Sequence, residues 1–283
     1  MKQYHRVLTI AGSDSGGGAG IQADIKTISA LDCYAASAIT AITVQNTLGV
    51  TDVHPVPCHI IRAQAEAVIT DIGVDAIKIG MLHSAEVVHT VADILRILKE
   101  GVGQVYPSVV LDPVMVSTSG HRLIEESAVE SLVNELMPLA TVITPNIPEA
   151  EMILGHAITS QEELPEAARE LTRRCGVSVL LKAGHLTSDR LVDILYDVTT
   201  DTLTELPAVR IDTRNTHGTG CTLSSAFAAS LAKGLPLKEA AMAAKCYINE
   251  AIIAGAEYSI GHGHGPVHHF HDLWKESSFK QQI

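Results

Sequence analysis

Asn215-Thr-His-Gly-Thr-Gly-Cys221 opens an Ala/Ser-rich segment, and its residue types suit the capture of an anion. Successive backbone N–H groups at a helix N-terminus attract negative charge. Gly218 and Gly220, with Thr219 between them, let such a backbone wrap a phosphoryl group. Cys221 falls in the first turn, where the helix dipole and the exposed N–H groups favour a thiolate. A glycine-rich turn ahead of a packing helix needs neither the histidine nor the cysteine. The pattern therefore points to phosphoryl transfer, a reaction governed by positioning and charge stabilisation.

A second glycine-rich segment, Gly12-Ser-Asp-Ser-Gly-Gly-Gly-Ala-Gly20, has five glycines in nine residues. No Gly-Lys-Ser/Thr follows, so it is not a P-loop. Gly18-x-Gly20-x-x-Ala23 matches a permissive dinucleotide pattern, but the next strand ends at Gln45-Asn46, where that chemistry needs an acid for the ribose. Asp24 and Gln45 are expected instead to hydrogen-bond a small heterocycle. In Thr144-Pro-Asn-Ile-Pro-Glu149, Asn146 and Glu149 have the spacing of a capping box. The same two residues suit a Mg²⁺ ion or its water shell. Asp112, at the end of Ser108-Val-Val-Leu-Asp112, is a second oxygen donor on that edge. Lys182 also ends a strand, where it either reaches solvent or meets a nucleotide phosphate. Residues 261–271 hold five of the 14 histidines. Their spacing fits no zinc pattern and no cysteine lies nearby, so packing on the core or lining the site is expected of them.

Alternating elements must position these groups. Strands are expected at 7–12, 35–44, 76–80, 108–112, 141–144 and 177–182, with an antiparallel pair at 191–196 and 203–209. Helices are expected at 19–31, 60–72, 85–99, around Val129–Leu132–Val133–Leu136, and at 221–233 and 237–254, from their apolar spacing. Short apolar strands alternating with helices give an α/β fold with a mostly parallel sheet covered on both faces. Ligands of such sheets bind beyond the carboxyl ends of the strands. Without a linker or repeat, residues 1–283 read as a single domain.

The 283 residues carry a net charge of −12 and are 46% hydrophobic. That apolar content excludes a disordered chain. The acidic balance argues against nucleic acid and anionic membranes as partners. No stretch reaches the ~18 apolar residues of a membrane span, and the apolar residues 7–11 are too few for a signal peptide. Five scattered cysteines without C-x-x-C spacing fit reduced thiols in the cytoplasm. Cys33, Cys58, Cys175 and Cys246 are expected as buried or half-buried filler.

Taken together, residues 12–24, Lys78-Ile-Gly-Met-Leu82, Leu111-Asp-Pro-Val-Met115, 144–149, 215–221 and Gly265-Pro-Val-His-His-Phe-His271 resemble the hydroxymethylpyrimidine/phosphomethylpyrimidine kinases. These are thiamin-biosynthesis enzymes of the ribokinase-like superfamily, and the resemblance runs in order along nearly the whole chain. It implies a three-layer α/β/α sandwich, often homodimeric. It further implies ATP- and Mg²⁺-dependent phosphorylation of 4-amino-5-hydroxymethyl-2-methylpyrimidine and then of its monophosphate. Carried over by position, Gly12, Ala19, Asp24, Gln45 and Met81 line the pyrimidine pocket. Asp24 and Gln45 read the amino group and the ring nitrogen. Asp112, Asn146 and Glu149 organise Mg-ATP, and Lys182 meets its phosphates. Gly218, Thr219, Gly220 and Cys221 form the anion hole. Many superfamily members place an aspartate base where Cys221 stands, so Cys221 is the candidate base if its pKa is lowered. Residues 116–122 are a candidate flap. A pyridoxal/pyridoxine kinase and a non-catalytic binder on the same fold are the alternatives.

Overall fold

Neighbouring residues of each short strand face opposite sides, and both sides are apolar. Val7, Ala76, Val110, Val142 and Leu180 enter one buried cluster, while Leu8, Ile77, Val109, Ile143 and Val179 enter another. A sheet greasy on both faces must be covered on both faces. The computed structural model describes residues 2–101, 105–115, 124–186 and 190–274. The elements are, in order, β1 (His5–Asp14), α1 (Gly20–Ala30), β2 (Cys33–Asn46), β3 (Gly49–Pro55), α2 (Cys58–Asp71), β4 (Ala76–Ile79), α3 (Ala85–Glu100), β5 (Ser108–Leu111), α4 (Glu126–Ser131), β6 (Val142–Ile143), α5 (Ile147–Leu154), α6 (Leu164–Cys175), β7 (Ser178–Leu181), β8 (Arg190–Asp197), β9 (Thr202–Val209), α7 (Thr219–Ala232) and α8 (Leu237–Gly255).

The nine strands form one sheet in the order β3-β2-β1-β4-β5-β6-β7-β8-β9. The strands from β2 to β7 in that order run parallel; β3 at one edge and β8–β9 at the other are antiparallel. Helices α1, α7 and α8 cover one face through Ile28, Phe227, Ala240 and Ala244. Helices α2 to α6 cover the other through residues such as Ile61, Val91, Ala128, Ile147 and Leu171. This is the three-layer α/β/α sandwich expected. The run of Ala226, Ala228, Ala229 and Ala232 in α7 presents little side-chain bulk, so this helix can lie close against the sheet.

Two elements were not expected. Strand β3 carries Asp52, His54 and Pro55 and is largely exposed, so it lacks the apolar signature of the central strands. Helix α6 has its apolar residues at Leu164, Ala167, Ala168, Leu171 and Cys175, at helical spacing. Its high charge hid that stripe. Among the presumed filler cysteines, Cys33 and Cys175 are buried and Cys58 is half-buried, but Cys246 is exposed on α8.

From β1 the chain passes to β2 on one side, and from β3 it crosses back to β4 on the other side of β1. This reversal opens a crevice at the carboxyl ends of the strands.

Candidate active site

A cavity of about 690 Å³ fills that crevice. It is lined by Gly12 and Asp14 from the end of β1, Gln45 from β2, and Lys78 and Met81 from β4 and beyond. Asp112, Asn146, Glu149 and Lys182 follow β5, β6 and β7 onto the same wall, and residues 216–221 close the opposite side. Of the positions assigned from sequence, only Asp24 is not on this surface.

Gly218 caps α7 in the left-handed conformation, φ 80°. A β-carbon there would stand 1.8 Å from the Gly18 carbonyl oxygen, so the two glycine-rich segments touch backbone to backbone. The first N–H groups of α7 have no intrahelical partner; that of Thr219 donates to the Thr216 carbonyl, and residues 219–221 line the cavity. A β-carbon on Gly220 would lie 3.2 Å from Asp112 Oδ2 and 3.4 Å from Lys182 Nζ, which measures how closely the anion loop approaches the charged wall. Cys221 is in the first turn, as expected, but the thiolate is not. Burial pushes its thiol up to about 11; Lys78 and the Gly20 backbone pull it down, while Asp24 and Asp112 push it further up. The desolvation at this depth outweighs the helix dipole.

The charged wall is built on strand ends. Lys182 Nζ donates to Asp112 Oδ1 at 2.8 Å, and Thr144 Oγ1 donates to the same oxygen at 3.0 Å. Asn146 and Glu149 form the expected capping box: Asn146 Oδ1 accepts from the Glu149 N–H, and Glu149 Oε2 from the Asn146 N–H. Burial raises Glu149 to about 7; Asp112 adds to this, while Lys182 and two backbone N–H groups oppose it. Burial disfavours the Lys182 ammonium, but Asp112 and Glu149 more than restore it. Asp193, buried on β8, accepts from the Ala183 N–H at 2.8 Å and from Lys245 at 2.6 Å, and so holds the turn after Lys182.

Asp24 is corrected. Its carboxylate is completely buried under α1 and is shared among Lys78, at 2.9 Å from each oxygen, Thr9 at 2.6 Å and Ser225 at 2.7 Å. No face remains for a ring substituent. Sequence reading missed its partner. Lys78 lies in the strand Ala76-Ile77-Lys78-Ile79, all of it buried, and a lysine in such a strand demands a carboxylate. Burial opposes its charge, but Asp24, Cys221 and Asp112 outweigh that and hold the ammonium firmly protonated.

Asp14 was missed as well. It accepts from the N–H groups of Gly16, Gly18 and Ala19 and pairs with His217 Nε2 at 2.8 Å. Burial raises it, but the His217 contact and those N–H groups win and hold it below the usual carboxylate range. The signal was present in Asp14 followed closely by three glycines, an Asx-type turn. On the same wall a β-carbon on Gly12 would come within 2.9 Å of Met81 Cε, so glycine leaves the space that the methionine fills. The tail histidines pack rather than cluster. Pro266 bridges to His217, the His268 N–H donates to Ala251, and His269 is buried with its pKa lowered to about 3 by burial. The candidate flap lies outside the described residues.

The family model for phosphomethylpyrimidine kinase matches residues 14–268. The chain belongs to this family. The hydroxymethylpyrimidine/phosphomethylpyrimidine kinase of Rhizobium meliloti is 53% identical over 95% of this chain and 98% of its own length. Among solved structures, Bacillus subtilis pyridoxal kinase in an ADP complex superimposes with a TM-score of 0.86 at 37% identity, over 96% of this chain and all of that one. Phosphomethylpyrimidine kinase of Clostridium difficile superimposes with a TM-score of 0.74 at 43% identity, over 87% and 99%. The α/β/α sandwich of this phosphomethylpyrimidine kinase family member is thus the ribokinase-like fold.

Proposed function

We propose that the chain transfers a phosphoryl group from ATP to hydroxymethylpyrimidine, and then to its monophosphate, as a step of thiamin biosynthesis. The observation that carries this reading is one cavity lined by Gly12, Ala19, Gln45 and Met81 together with the anion loop 218–221 and the Asp112–Lys182 pair. Transfer through a loose transition state needs the two oxygens in line and the phosphoryl charge neutralised. Gly218 and Gly220 offer backbone N–H groups for that charge, and Lys182 adds a fixed ammonium. Between β9 and α8 the cavity continues past Val209, Ile248 and Ile252, an apolar slot suited to a flat base.

Asp112, Asn146 and Glu149 fit Mg²⁺ as an ion held mainly by its waters and by phosphates. Both Glu149 oxygens are already engaged by the Asn146 and Met115 N–H groups, which suits contact through water. Bound there, the ion would supply positive charge to the transferring phosphoryl. Cys221 is the ionisable side chain of the anion loop and remains the proposed acceptor of the hydroxyl proton. It starts as a thiol, so its participation grows as pH rises.

The reading takes the chain as a single kinase domain, working as a cytoplasmic homodimer without nucleic acid. No helix among the described residues is long and apolar enough to cross a membrane. Release of ADP from Mg-ATP with hydroxymethylpyrimidine, its monophosphate and pyridoxal at matched concentrations tests it. Turnover of both pyrimidines is expected. Pyridoxal kinase activity is the second reading, favoured by the superposition on the Bacillus subtilis enzyme. Preference for pyridoxal would establish it in place of the first.

A further inference from the structure

Gln45 stands between two groups whose hydrogen-bonding roles are already settled, and together they decide which way its amide points. On one side is Thr43. Its hydroxyl has one hydrogen and lies 2.7 Å from the Ser13 carbonyl oxygen, which can only accept. That hydrogen is spent there, so toward Gln45, at 3.1 Å, Thr43 can only accept. On the other side is His217. Its Nε2 lies 2.8 Å from Asp14 Oδ2, an oxygen that already takes the Gly18 and Ala19 N–H groups and is an acceptor throughout. Nε2 must therefore carry its one hydrogen, directed at Asp14; toward Gln45, at 3.4 Å, it has no lone pair to offer and can at most share that N–H. An amide nitrogen toward His217 sets donor against donor; an amide oxygen toward Thr43 sets acceptor against acceptor. The amide stands with Oε1 toward Thr43 and Nε2 toward His217, and hydrogen counting on both sides calls for it turned over, oxygen to His217 and nitrogen to Thr43.

His217 itself has little freedom. Its N–H donates to the Gly265 carbonyl at 3.0 Å, its carbonyl accepts from Val267, and a β-carbon on Gly18 would meet its ring at 2.5 Å. The histidine is clamped between the C-terminal segment and the first glycine-rich loop.

We propose that His217 is a specificity-determining positioning residue, which fixes the orientation of the Gln45 amide and so the order of donor and acceptor offered to the substrate ring. The inference rests on the proposed function and names what selects its substrate. An aminopyrimidine edge carries an acceptor ring nitrogen beside a donor amino group, and a fixed amide meets that pair in one sense only. A pyridine nitrogen flanked by methyl engages half of it. Sites built to hydrogen-bond a polar substrate group discriminate far better than apolar ones.

The test compares kcat/KM for hydroxymethylpyrimidine and pyridoxal, with KM for ATP, in the wild type, His217→Ala, His217→Gln, Gln45→Ala, Thr43→Val and the double variant His217→Ala/Gln45→Ala. His217→Ala should lower kcat/KM for hydroxymethylpyrimidine about 10- to 100-fold. Pyridoxal turnover and KM for ATP should move less than about threefold, because the amide and not the nucleotide site is disturbed. His217→Gln keeps an N–H for Asp14 and should recover most of the loss. The double variant should lose no more than Gln45→Ala alone, since residues acting as a unit are not additive. Additive losses, or equal damage to ATP use, overturn the inference. If His217→Ala does not fold, Thr43→Val decides: it should lower the preference for the pyrimidine, and an unchanged preference overturns the inference. An active wild type with additive losses overturns this inference alone, whereas a wild type that turns over neither pyrimidine overturns the proposed function with it.

Discussion

Two lysine–aspartate pairs share nearly the same separation and do different things. Lys78 and Asp24 lie 2.9 Å apart with both side chains fully buried, and Thr9 and Ser225 satisfy the remaining carboxylate oxygens. Lys182 and Asp112 lie 2.8 Å apart, but the lysine keeps 14% of its side chain exposed, and Glu149 crowds the pair with a second acid. In the first pair both carboxylate oxygens are taken up by the protein, although Lys78 also borders the cavity. In the second, the set carries more acid than base and opens onto the cavity. What separates a structural ion pair from a chemical one here is which lone pairs and protons are left over, and the separation between the partners does not report it.

The comparison breaks most sharply at the buried pair. Asp24→Asn leaves the Lys78 ammonium uncompensated in the core and should cost about 3–5 kcal/mol of unfolding free energy in urea titration. Lys78→Met together with Asp24→Leu should recover much of that, because an apolar pair of similar size avoids the desolvation cost. An Asp24→Asn protein of wild-type stability that had lost only its pyrimidine affinity would return Asp24 to the substrate. The open pair should behave the other way. Lys182→Met should unfold close to the wild-type midpoint, yet lose about 10²–10³-fold in kcat with Mg-ATP, the usual scale for a charge aimed at the transition state. A large drop in stability with kcat preserved would make the two pairs alike.

The two pairs also show what the sequence made legible. Asp112 and Lys182 end apolar strands, and the rule that parallel sheets bind at carboxyl ends leads straight to them. So do Asn146 and Glu149, whose proline-flanked spacing announces a capping box. Asp24 sits inside α1, where the face it presents depends on how the helix rolls against the sheet. Its buried neighbours Ala23, Thr27 and Ile28 place it inward. Lys78 was overlooked because a four-residue strand has no periodicity to interrupt. Gly218 was legible as a residue that lets the backbone wrap an anion, but not as the cap of α7, whose start was expected at 221. Its contact with Gly18 spans 200 residues of chain and is fixed only by the fold.

Cys221 lies between the pairs, pushed up by Asp24 and Asp112 and pulled down by Lys78, with burial the largest influence. If it accepts the substrate proton, Cys221→Ala should lower kcat about 10²-fold or more, the contribution typical of a general base. The wild-type kcat should rise from pH 7 toward pH 9.5 while the variant stays flat, because the thiol titrates near 11. A loss below tenfold with an unchanged pH profile removes the base role and leaves the anion loop to act by positioning alone.

The open pair makes one smaller claim, about folding rather than turnover. Glu149 is an acid whose folded pKa, about 7, lies above its ordinary value of 4.5, chiefly through burial and then through Asp112. Between those values the folded chain holds a proton that the unfolded chain has released. Stability from this residue is therefore fully present below about pH 4.5, falls as pH rises toward 7, and levels off above it. Glu149→Gln keeps the shape and one acceptor for the Asn146 N–H but cannot ionise. Without ligands, its stability relative to wild type should improve by about 3 kcal/mol between pH 4.5 and 8, read as the difference between two denaturant titrations at each pH. A constant difference across that range would mean that the carboxylate is charged and comfortable throughout. The second pair would then be as fully satisfied as the first, and the physical distinction between them would fail.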